Sequence, residues 1–396
     1  MDYRIDQMPP YLLGTISEAV NNVRKQGHDV IDFSQANCDL PPPAIAVDKL
    51  IQACLHPANH RYSSSQGINK LRNAITLRYK KRFSVELDPD SEVCVTLGAK
   101  EGLAHTLLAL TKCGDQVVIP SPCYPVHSGA IAIAECHQIS IPMNLDQASF
   151  DEHQLFNDIV NVYCNTWPKP KVLLFSFPHN PTTAVVSLNF WKDIVSFAQA
   201  EKLIVLNDFA YGELCYSEFK APSILEVPSA KEVAVEFYSI SKAFALGGWR
   251  VGFALGGSGL IAKLKKIKGY IDFGIFQPLQ IAAVSVIEKS DEILEETLNV
   301  YQSRRDSLAA GLISAGFQLT IPQASVFLWA KLPDGISSDD SEVFCRYLLQ
   351  AKHIALCPGS GFDLRARSYV RLALMESESR VRTAVKSITS FIGECK

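Results

Sequence analysis

The sequence is organised around seven short apolar runs that alternate with amphipathic stretches. The runs are rich in β-branched residues and several are apolar throughout, which is typical of strands buried on both faces of a parallel sheet. Apolar residues three and four apart predict helices between them, for example at 100–110 and 188–201. This alternation predicts an α/β fold with a mostly parallel seven-stranded sheet. The predicted strands are residues 93–97, 116–119, 138–141, 172–175, 203–207, 235–240 and 251–255.

Outside this block the pattern changes to that of an α+β unit with antiparallel strands. The amino-terminal part holds a predicted helix at 16–25 and then a proline-rich turn. Towards the carboxyl end we predict helices at 293–315 and 341–351, strands at 326–331 and 369–374, and a closing helix. We therefore expect a large α/β domain at residues 49–284 and a smaller, discontinuous domain made of residues 1–48 and 285–396.

The composition excludes several classes of protein. The 396 residues include 38 Lys and Arg against 41 Asp and Glu, so bulk charge gives no reason to expect nucleic acid or an anionic membrane as a partner. The 11 cysteines form neither a C-x-x-C pair nor a Cys/His cluster with zinc spacing, which indicates free thiols in a reducing compartment. The sequence shows neither a signal peptide nor an apolar run near the ~18 residues of a membrane helix. We expect a cytoplasmic protein without a bound metal.

Residues that follow the predicted strands are the first candidates for chemistry, because α/β sheets bind ligands at the carboxyl ends of their strands. Gly98-Ala99-Lys100 opens a helix and could present amide groups to a phosphate, although glycine is common at any such turn. Asn180 could contact a ligand or only start a turn. Asp208 could pair with a protonated ligand nitrogen or cap the next helix.

Lys242 is the most informative single residue, because it follows directly after an apolar strand. Burial lowers the pKa of a lysine and yields the free amine that attack on an aldehyde requires. If it stood alone, Lys242 would more often be a structural lysine. The hydroxyl groups of Ser239 and Ser241 and the guanidinium of Arg250, however, would surround it with donors that suit a phosphate. An amine, a carboxylate and a phosphate cradle at strand ends match what pyridoxal phosphate needs.

These residues stand in an order that resembles a known family. The chain resembles the fold-type I, pyridoxal-phosphate-dependent class I/II aminotransferases, through Ser239-Ile240-Ser241-Lys242, Arg250, Asn180-Pro181-Thr182, Asp208 and Tyr211. The resemblance covers nearly the whole chain. Within the family the sequence is most similar to bacterial glutamate–pyruvate (alanine) aminotransferases, a likeness carried by residues 61–67, 220–224 and 273–280.

The resemblance implies pyridoxal 5'-phosphate as the cofactor and gives each matching residue a role. Lys242 would hold the cofactor covalently and later move the substrate proton. Asp208 would pair with the ring nitrogen. Asn180 and Tyr211 would bind the ring oxygen, and Tyr124 would stack on the ring face. In this scheme Lys242, Asp208 and Tyr211 are the catalytic residues.

The same resemblance implies how the phosphate and the substrate are held. The backbone amides of Ala99 and Lys100 would bind the phosphate together with Ser239, Ser241 and Arg250. Tyr62, which the sequence alone shows only as a loop tyrosine, would reach the phosphate from a neighbouring subunit, so the resemblance implies a homodimer with shared active sites. Arg371, Asn180 and the amide of Ala36 would bind the α-carboxylate of the substrate.

The sequence departs from the family pattern at several positions near this predicted site. Ala36 stands where the family usually has glycine, Cys38 replaces a common proline, and Thr183 replaces the glycine that often follows Asn-Pro-Thr. Arg365 and Arg367 make a nearby loop unusually basic. They are either solvated loop arginines or a contact for the distal carboxylate of a dicarboxylic substrate.

The sequence therefore predicts an amino acid aminotransferase that works by a ping-pong exchange, with an amino acid and a 2-oxo acid as its small-molecule substrates. Alanine with 2-oxoglutarate is the leading pair by resemblance, while aspartate, methionine and LL-diaminopimelate remain open. A carbon–sulfur β-lyase and a non-catalytic regulator that binds the cofactor are further alternatives. Four lysines at 263, 265, 266 and 268 could suggest nucleic-acid binding, but such a run is usually a solvated helix face.

Overall fold

The structure, a computed structural model, describes residue 8 and residues 10–145, 150–335 and 340–395. The α-helices are α1 (Leu12–Lys25), α2 (Ala44–Cys54), α3 (Asn69–Phe83), α4 (Gly98–Leu110), α5 (Pro125–Ile133), α6 (Glu152–Asn165), α7 (Leu188–Glu201), α8 (Ala230–Val233), α9 (Ile240–Ala243), α10 (Ser258–Ile271), α11 (Gln277–Glu288), α12 (Ser290–Ser314), α13 (Ser341–Lys352) and α14 (Glu378–Cys395). The strands are β1 (Ile31–Asp32), β2 (Val93–Thr96), β3 (Gln116–Ser121), β4 (His137–Pro142), β5 (Val172–Phe175), β6 (Ile204–Asp208), β7 (Ala234–Ser239), β8 (Gly252–Gly256), β9 (Gln318–Leu319), β10 (Phe327–Lys331), β11 (Ile354–Ala355), β12 (Cys357–Pro358) and β13 (Tyr369–Ala373).

The central sheet has seven strands in the order β2-β8-β7-β6-β5-β3-β4. All seven predicted strands are in this sheet, most with ends shifted by one or two residues. Strand β8 runs antiparallel to both of its neighbours, and the other strands are parallel to one another. The prediction of a mostly parallel α/β sheet is confirmed.

Most of the sheet is covered on both faces, which explains why most of its strands are buried along their length rather than alternating. The edge strand β4 is largely exposed. On β5, Val172 and Leu174 belong to a core packed against α4, α5 and α10. Leu173 and Phe175 face the opposite way, into the larger core that includes residues of α3, α7 and α12. Side chains of successive strand residues alternate between the two cores, so both faces need apolar residues.

A second sheet of four strands, β12-β13-β10-β9, is antiparallel as predicted. Near it, Ile31 of β1 pairs with Ile354 of β11, so a strand from the amino-terminal part adds to one from the carboxyl-terminal part. This pairing accords with a unit built from both ends of the chain. The division at residues 49–284 stays a prediction.

The lysine run on α10 corrects one expectation. Lys263 and Lys266 are exposed and Lys265 is half-buried, but Lys268 is fully buried, so the run is not simply a solvated face. Lys268 is buried because it follows Ile261 and Leu264 on the helix face that packs inward.

Among the described helices, none is long and apolar enough to cross a membrane.

Candidate active site

The strand order brings most of the predicted site residues to one edge of the central sheet. Strands β2, β7, β6, β5 and β3 are parallel, so their carboxyl ends lie together. Asn180, Asp208 and Lys242 follow three of these strands. Arg250 precedes β8, and because β8 is antiparallel its start lies at this same edge. The residues that sequence reasoning chose from separate segments therefore converge.

Lys242 lies in α9, the short helix that begins where β7 ends. Its Nζ donates a hydrogen bond to the carbonyl of Ala36. Burial lowers the pKa of Lys242 to about 8, with smaller contributions in the same direction from Arg371, Arg250 and Lys100. A substantial share of this side chain is therefore the neutral amine near physiological pH, which is the nucleophilic form.

Asp208, at the end of β6, is buried and pairs with a residue that sequence reasoning missed. His127 Nε2 lies 2.9 Å from Asp208 Oδ2, and the histidine is 2% exposed. His127 stands in the first turn of α5, three residues after Tyr124, and the two rings meet edge-on. A single histidine in the first turn of a helix does not indicate a partner far away in the sequence, so the pairing of His127 with Asp208 is visible only in the folded chain.

Asn180 connects the two other polar residues of this edge. Arg371 Nη1 donates to Asn180 Oδ1 at 2.8 Å, and a hydrogen bond also joins Asn180 to the side chain of Tyr211. Burial raises the pKa of Tyr211 well above its usual value, so its hydroxyl keeps its proton. Asn180, which the sequence left open as a mere turn residue, is 2% exposed and bonded to two predicted site residues.

Arg371 comes from β13 of the smaller sheet and reaches the site from the opposite side. Its Nη2 donates to the carbonyl of Ser34 at 2.8 Å, and the residue is 1% exposed. The guanidinium lies 4.2 Å from the ring centre of Phe327 and 4.9 Å from that of Phe362. Two aromatic rings and two hydrogen bonds hold the guanidinium plane in place, which suits recognition of a planar carboxylate.

The start of α4 forms an anion cradle with its neighbours. Gly98 has a φ of +74°, which glycine adopts without strain, and a side chain on Gly252 would lie 2.7 Å from the amide nitrogen of Ala99. Arg250 Nη2 donates to the carbonyl of Leu97 at 3.3 Å, beside the first turn of the helix. Two glycines thus let the helix amides and a guanidinium come close together, the arrangement that binds phosphate.

Two serines and an exposed arginine complete this cradle. Ser239 Oγ accepts a hydrogen bond from the Ser241 amide, while Ser241 Oγ is buried and has no hydrogen-bond partner among the described residues. Arg250 is exposed. The exposure follows from its place at the rim, just before β8 begins.

Tyr124 lies above the same edge, largely buried, and hydrogen-bonds to Tyr11, a residue that sequence reasoning did not single out. Burial raises the pKa of Tyr124 far above its usual value. The Lys100 ammonium lies 5.5 Å from the Tyr11 ring centre. The segment before α1 therefore packs over the side of the site that holds Tyr124.

Tyr62 differs from the other predicted residues, because it is 93% exposed. Its ring packs edge-on against Phe273, with centres 5.7 Å apart. The described contacts do not bring Tyr62 to Lys242 of its own chain. Its place in a shared site stays a prediction.

The departures from the family pattern have distinct structural settings. Thr183 has a φ of +63°, the left-handed region that glycine favours, which accounts for the glycine often found there. Cys38 Sγ lies 2.7 Å from the hydroxyl of Tyr301. Arg365 forms an ion pair with Asp363, whose carboxylate also accepts a hydrogen bond from Ser121.

The residues present fit pyridoxal phosphate. A lysine amine with a lowered pKa, a buried carboxylate and an anion cradle with an unsatisfied hydroxyl group lie at one sheet edge. Fold and site together define a pyridoxal-phosphate-dependent enzyme. Residues 28–388 match the family "Aminotransferase class I and II", and the chain belongs to this family.

The chain is similar to several named aminotransferases along nearly its whole length. It is 40% identical to the glutamate-pyruvate aminotransferase AlaC of Escherichia coli (strain K12), over 97% of this chain and 92% of that protein. It is 34% identical to an LL-diaminopimelate aminotransferase of Dehalococcoides mccartyi, over 98% of each. The structure of a probable N-succinyldiaminopimelate aminotransferase from Thermus thermophilus has a TM-score of 0.87 and 32% identity, over 96% of this chain and 99% of that one.

The protein is therefore a pyridoxal-phosphate-dependent aminotransferase, which moves an amino group between an amino acid and a 2-oxo acid.

Proposed function

We propose that the enzyme transfers the amino group between alanine and 2-oxoglutarate by a ping-pong exchange. The observation that carries this choice is the similarity to a glutamate-pyruvate aminotransferase along nearly the whole chain. The similarity to LL-diaminopimelate aminotransferases makes that substrate the second candidate. Both donors carry the α-amino and α-carboxylate groups for which the site is equipped.

In this proposal Lys242 is the group that binds the cofactor and moves the proton. The bound cofactor supplies an aldehyde that takes up the amino group and a ring that accepts electrons from the substrate α-carbon. Lys242, once its amine is free, would take the proton from the α-carbon of the substrate and hold it at Nζ. A pKa of about 8 places this amine close to the working pH, where a general base is most effective.

Asp208, Asn180 and Tyr211 orient the ring in this proposal. Asp208 faces the ring nitrogen and holds its proton, and His127 fixes the Asp208 carboxylate by its hydrogen bond. Asn180 and the neutral Tyr211 hydroxyl donate to the ring oxygen. Tyr124 covers the ring face. Its hydrogen bond to Tyr11 limits the movement of its side chain.

Different residues would hold the cofactor phosphate and the substrate carboxylate. The amides of Ala99 and Lys100, with Ser239, Ser241 and Arg250, hold the phosphate, as the resemblance implied. Arg371 binds the α-carboxylate, with its guanidinium plane already fixed by the Phe327 and Phe362 rings. The Ala36 segment lies beside Lys242, since the Ala36 carbonyl accepts a hydrogen bond from Lys242 Nζ.

A donor and acceptor panel on the purified holoenzyme tests the proposal. Each amino acid is added alone, and the cofactor absorbance shows whether the amino group has been taken up. We expect alanine and glutamate to convert the cofactor fully, and pyruvate or 2-oxoglutarate to reverse the conversion. If LL-diaminopimelate converted the cofactor faster than alanine does, the proposed amino donor would be wrong, but the enzyme would still be an aminotransferase.

The panel also separates the transferase from the β-lyase alternative. A lyase would release pyruvate and ammonia from cystathionine without any 2-oxo acid. We expect no such release at a rate comparable to transfer. The Lys242→Ala variant serves as the control, because it retains the remaining cofactor contacts but lacks the amine. Full transfer activity in this variant would overturn the role of Lys242.

We further propose that the functional unit is a homodimer in which Tyr62 contributes to the partner's phosphate site. In the single chain, Tyr62 shares its surroundings with other large, exposed apolar side chains, and a patch of this kind marks a protein interface. Phe273, which is in ring contact with Tyr62, is 51% exposed, and Leu55, Tyr270 and Phe276 are further exposed apolar residues in the sequence segments 55–62 and 270–276. Ring contacts join Tyr62 to Phe273, and Phe276 to His60, which ties the segment before α3 to the one before α11.

We propose the cytoplasm as the location. All ten cysteines whose side chains the structure describes are free thiols, six of them with a pKa raised by burial. Buried, unpaired thiols are typical of proteins from reducing compartments. Fractionation of cells that produce the protein tests this directly.

A further inference from the structure

A buried ion cluster lies directly behind the start of α4. Lys268 Nζ lies 3.1 Å from Glu101 Oε2 and 2.7 Å from Asp272 Oδ2, and the lysine side chain is fully buried. His105 Nδ1 contacts the other oxygen of Glu101. The sequence alone presents this lysine as part of a solvated face, and none of these four residues has a role in the proposed reaction.

Glu101 ties this cluster to the phosphate cradle. It stands in the first turn of α4, and its Oε2 accepts a hydrogen bond from the backbone amide of Leu97 at 2.7 Å. Leu97 is also the residue whose carbonyl accepts from Arg250. Leu97 therefore contacts the Glu101 carboxylate through its amide and the Arg250 guanidinium through its carbonyl.

Within this cluster, Glu101 and Lys268 form a charged pair. Burial raises the pKa of Glu101, but the contact with His105 and the charge of Lys268 outweigh it and leave that pKa below its usual value. For Lys268, burial lowers the pKa, but attraction to Glu101 and the hydrogen bond to Asp272 raise it above the usual value. Both side chains of the Glu101–Lys268 pair are thus ionised at neutral pH.

An ionised carboxylate in this turn opposes the binding of a phosphate. The phosphate and the Glu101 carboxylate would compete for the same positive end of α4, whose backbone amides are proposed to hold the phosphate. Repulsion between two anions is strong when they are shielded from water. The ammonium of Lys268 is the neighbouring group that offsets this charge, since it contacts both oxygens of Glu101.

We propose that Lys268 is a positioning residue for the cofactor phosphate. By pairing with Glu101 it neutralises a negative charge in the helix turn that borders the phosphate cradle. It also keeps the Glu101 carboxylate in place to hold the Leu97 amide. This inference rests on the phosphate cradle of the proposed function.

The test compares the binding of pyridoxal phosphate and of pyridoxal to the full chain stripped of cofactor. The two molecules carry the same ring and aldehyde, so the ratio of their dissociation constants isolates the phosphate. A change in general folding or in the lysine reaction alters both constants together. A change in the electrostatics of the cradle alters only the constant for pyridoxal phosphate.

Two matched double variants differ in which carboxylate, Glu101 or Asp272, is left without a cationic partner. Lys268→Met with Asp272→Asn leaves an unpaired carboxylate at Glu101, beside the cradle. Lys268→Met with Glu101→Gln leaves one at Asp272 instead. Both keep the formal net charge of the native Glu101–Lys268–Asp272 group. We expect the first variant to lose about tenfold of the preference for the phosphate compound, and the second to stay within about threefold of the native ratio.

A single variant keeps the proposal testable even if the double variants fail to fold. Glu101→Gln keeps Lys268 paired with Asp272 and preserves an acceptor for the Leu97 amide, and we expect it to raise the preference for pyridoxal phosphate. Equal ratios in the two double variants, or a lowered ratio in Glu101→Gln, would overturn the proposal. Failure of the cradle itself is distinguishable, because the native chain would then bind both compounds equally.

Discussion

His127 Nε2 and Asp208 Oδ2 lie 2.9 Å apart in the interior, with the histidine 2% and the aspartate 8% exposed. An ionised carboxylate only accepts hydrogen bonds, so His127 donates through Nε2 and fixes the orientation of Asp208. A buried carboxylate without a donor is costly. The pair thus gives the buried Asp208 side chain a hydrogen-bond partner at the end of β6, where the cofactor ring nitrogen is proposed to bind.

The first prediction concerns this pair. His127→Leu removes the donor, and a charged hydrogen bond is worth about 1.5–3 kcal/mol, so we expect kcat to fall at least tenfold with a smaller change in KM. His127→Gln retains a donor and should recover part of kcat. Steady-state kinetics with alanine measure both. Equal losses in the two variants would show that the hydrogen bond is not what matters.

The second prediction concerns Lys242 and pH. Its pKa falls from 10.5 to about 8 in the folded chain, which corresponds to about 3 kcal/mol of destabilisation that is present in full below pH 8. The unfolded chain then binds more protons than the folded one between pH 8 and 10.5, so stability rises with pH across that window. The cofactor-free Lys242→Met variant should be more stable than the native chain at about pH 7.

Urea unfolding of both cofactor-free proteins at several pH values checks this prediction. The difference between the two chains should be largest below pH 8 and should shrink towards pH 10.5. Other titrating groups cancel in the difference, because they are present in both chains. A difference that does not vary with pH would contradict a lowered pKa at Lys242.

The third prediction concerns Arg371. Arg371→Lys keeps the charge but loses the forked pair of donors and the stacking between Phe327 and Phe362. Disruption of a buried, hydrogen-bonded charge contact costs about 2–5 kcal/mol, so kcat/KM should fall about 30-fold or more. Alanine and glutamate should lose equally, since both carry the α-carboxylate. Unequal losses would assign Arg371 to the side chain of the substrate.

The fourth prediction concerns Arg365, which already has a carboxylate partner in Asp363. Exposed ion pairs contribute little, so Arg365→Ala should change kcat/KM by no more than about twofold. The change should be the same for alanine and glutamate. Arg367→Ala provides a comparison in the same loop. A loss confined to glutamate would instead identify the contact for a distal carboxylate.

The fifth prediction concerns the shared site. Tyr62→Ala and Lys242→Ala should each be nearly inactive alone. When the two are mixed and allowed to exchange subunits, a mixed dimer regains one complete site, because the Tyr62→Ala subunit keeps Lys242 and its partner keeps Tyr62. Random pairing predicts about a quarter of native activity. Absence of recovery, with mixed dimers shown to form, would place Tyr62 outside the site.

Much of the fold and of the proposed site could be predicted from the sequence. The seven strands were visible because burial on both faces demands unbroken apolar runs. Asp208 and Lys242 could be found because a polar residue directly after such a run lies at the ligand-binding edge. Arg371 and Tyr62 were reached only through family resemblance, since a strand arginine and a loop tyrosine carry no chemical signal of their own.

His127 and Lys268 show where sequence reasoning stops. Both lie on helices, where the inward face depends on packing partners from distant parts of the chain. Lys268 stands among three other lysines with the same local pattern, yet only it is buried with Glu101 and Asp272. No spacing rule distinguishes it from its neighbours, because one carboxylate partner lies one helical turn away and the other lies far away in the chain.

The sequence by itself determined which reactive side chains the enzyme contains and which strand ends they follow. Only the tertiary structure decided how those groups are charged and paired. The physical reason is that strand patterns are local, whereas a pKa depends on burial and on neighbours brought in by the fold. Lys242 illustrates both: its place after β7 is written in the chain, but its lowered pKa exists only where the folded protein excludes water around it.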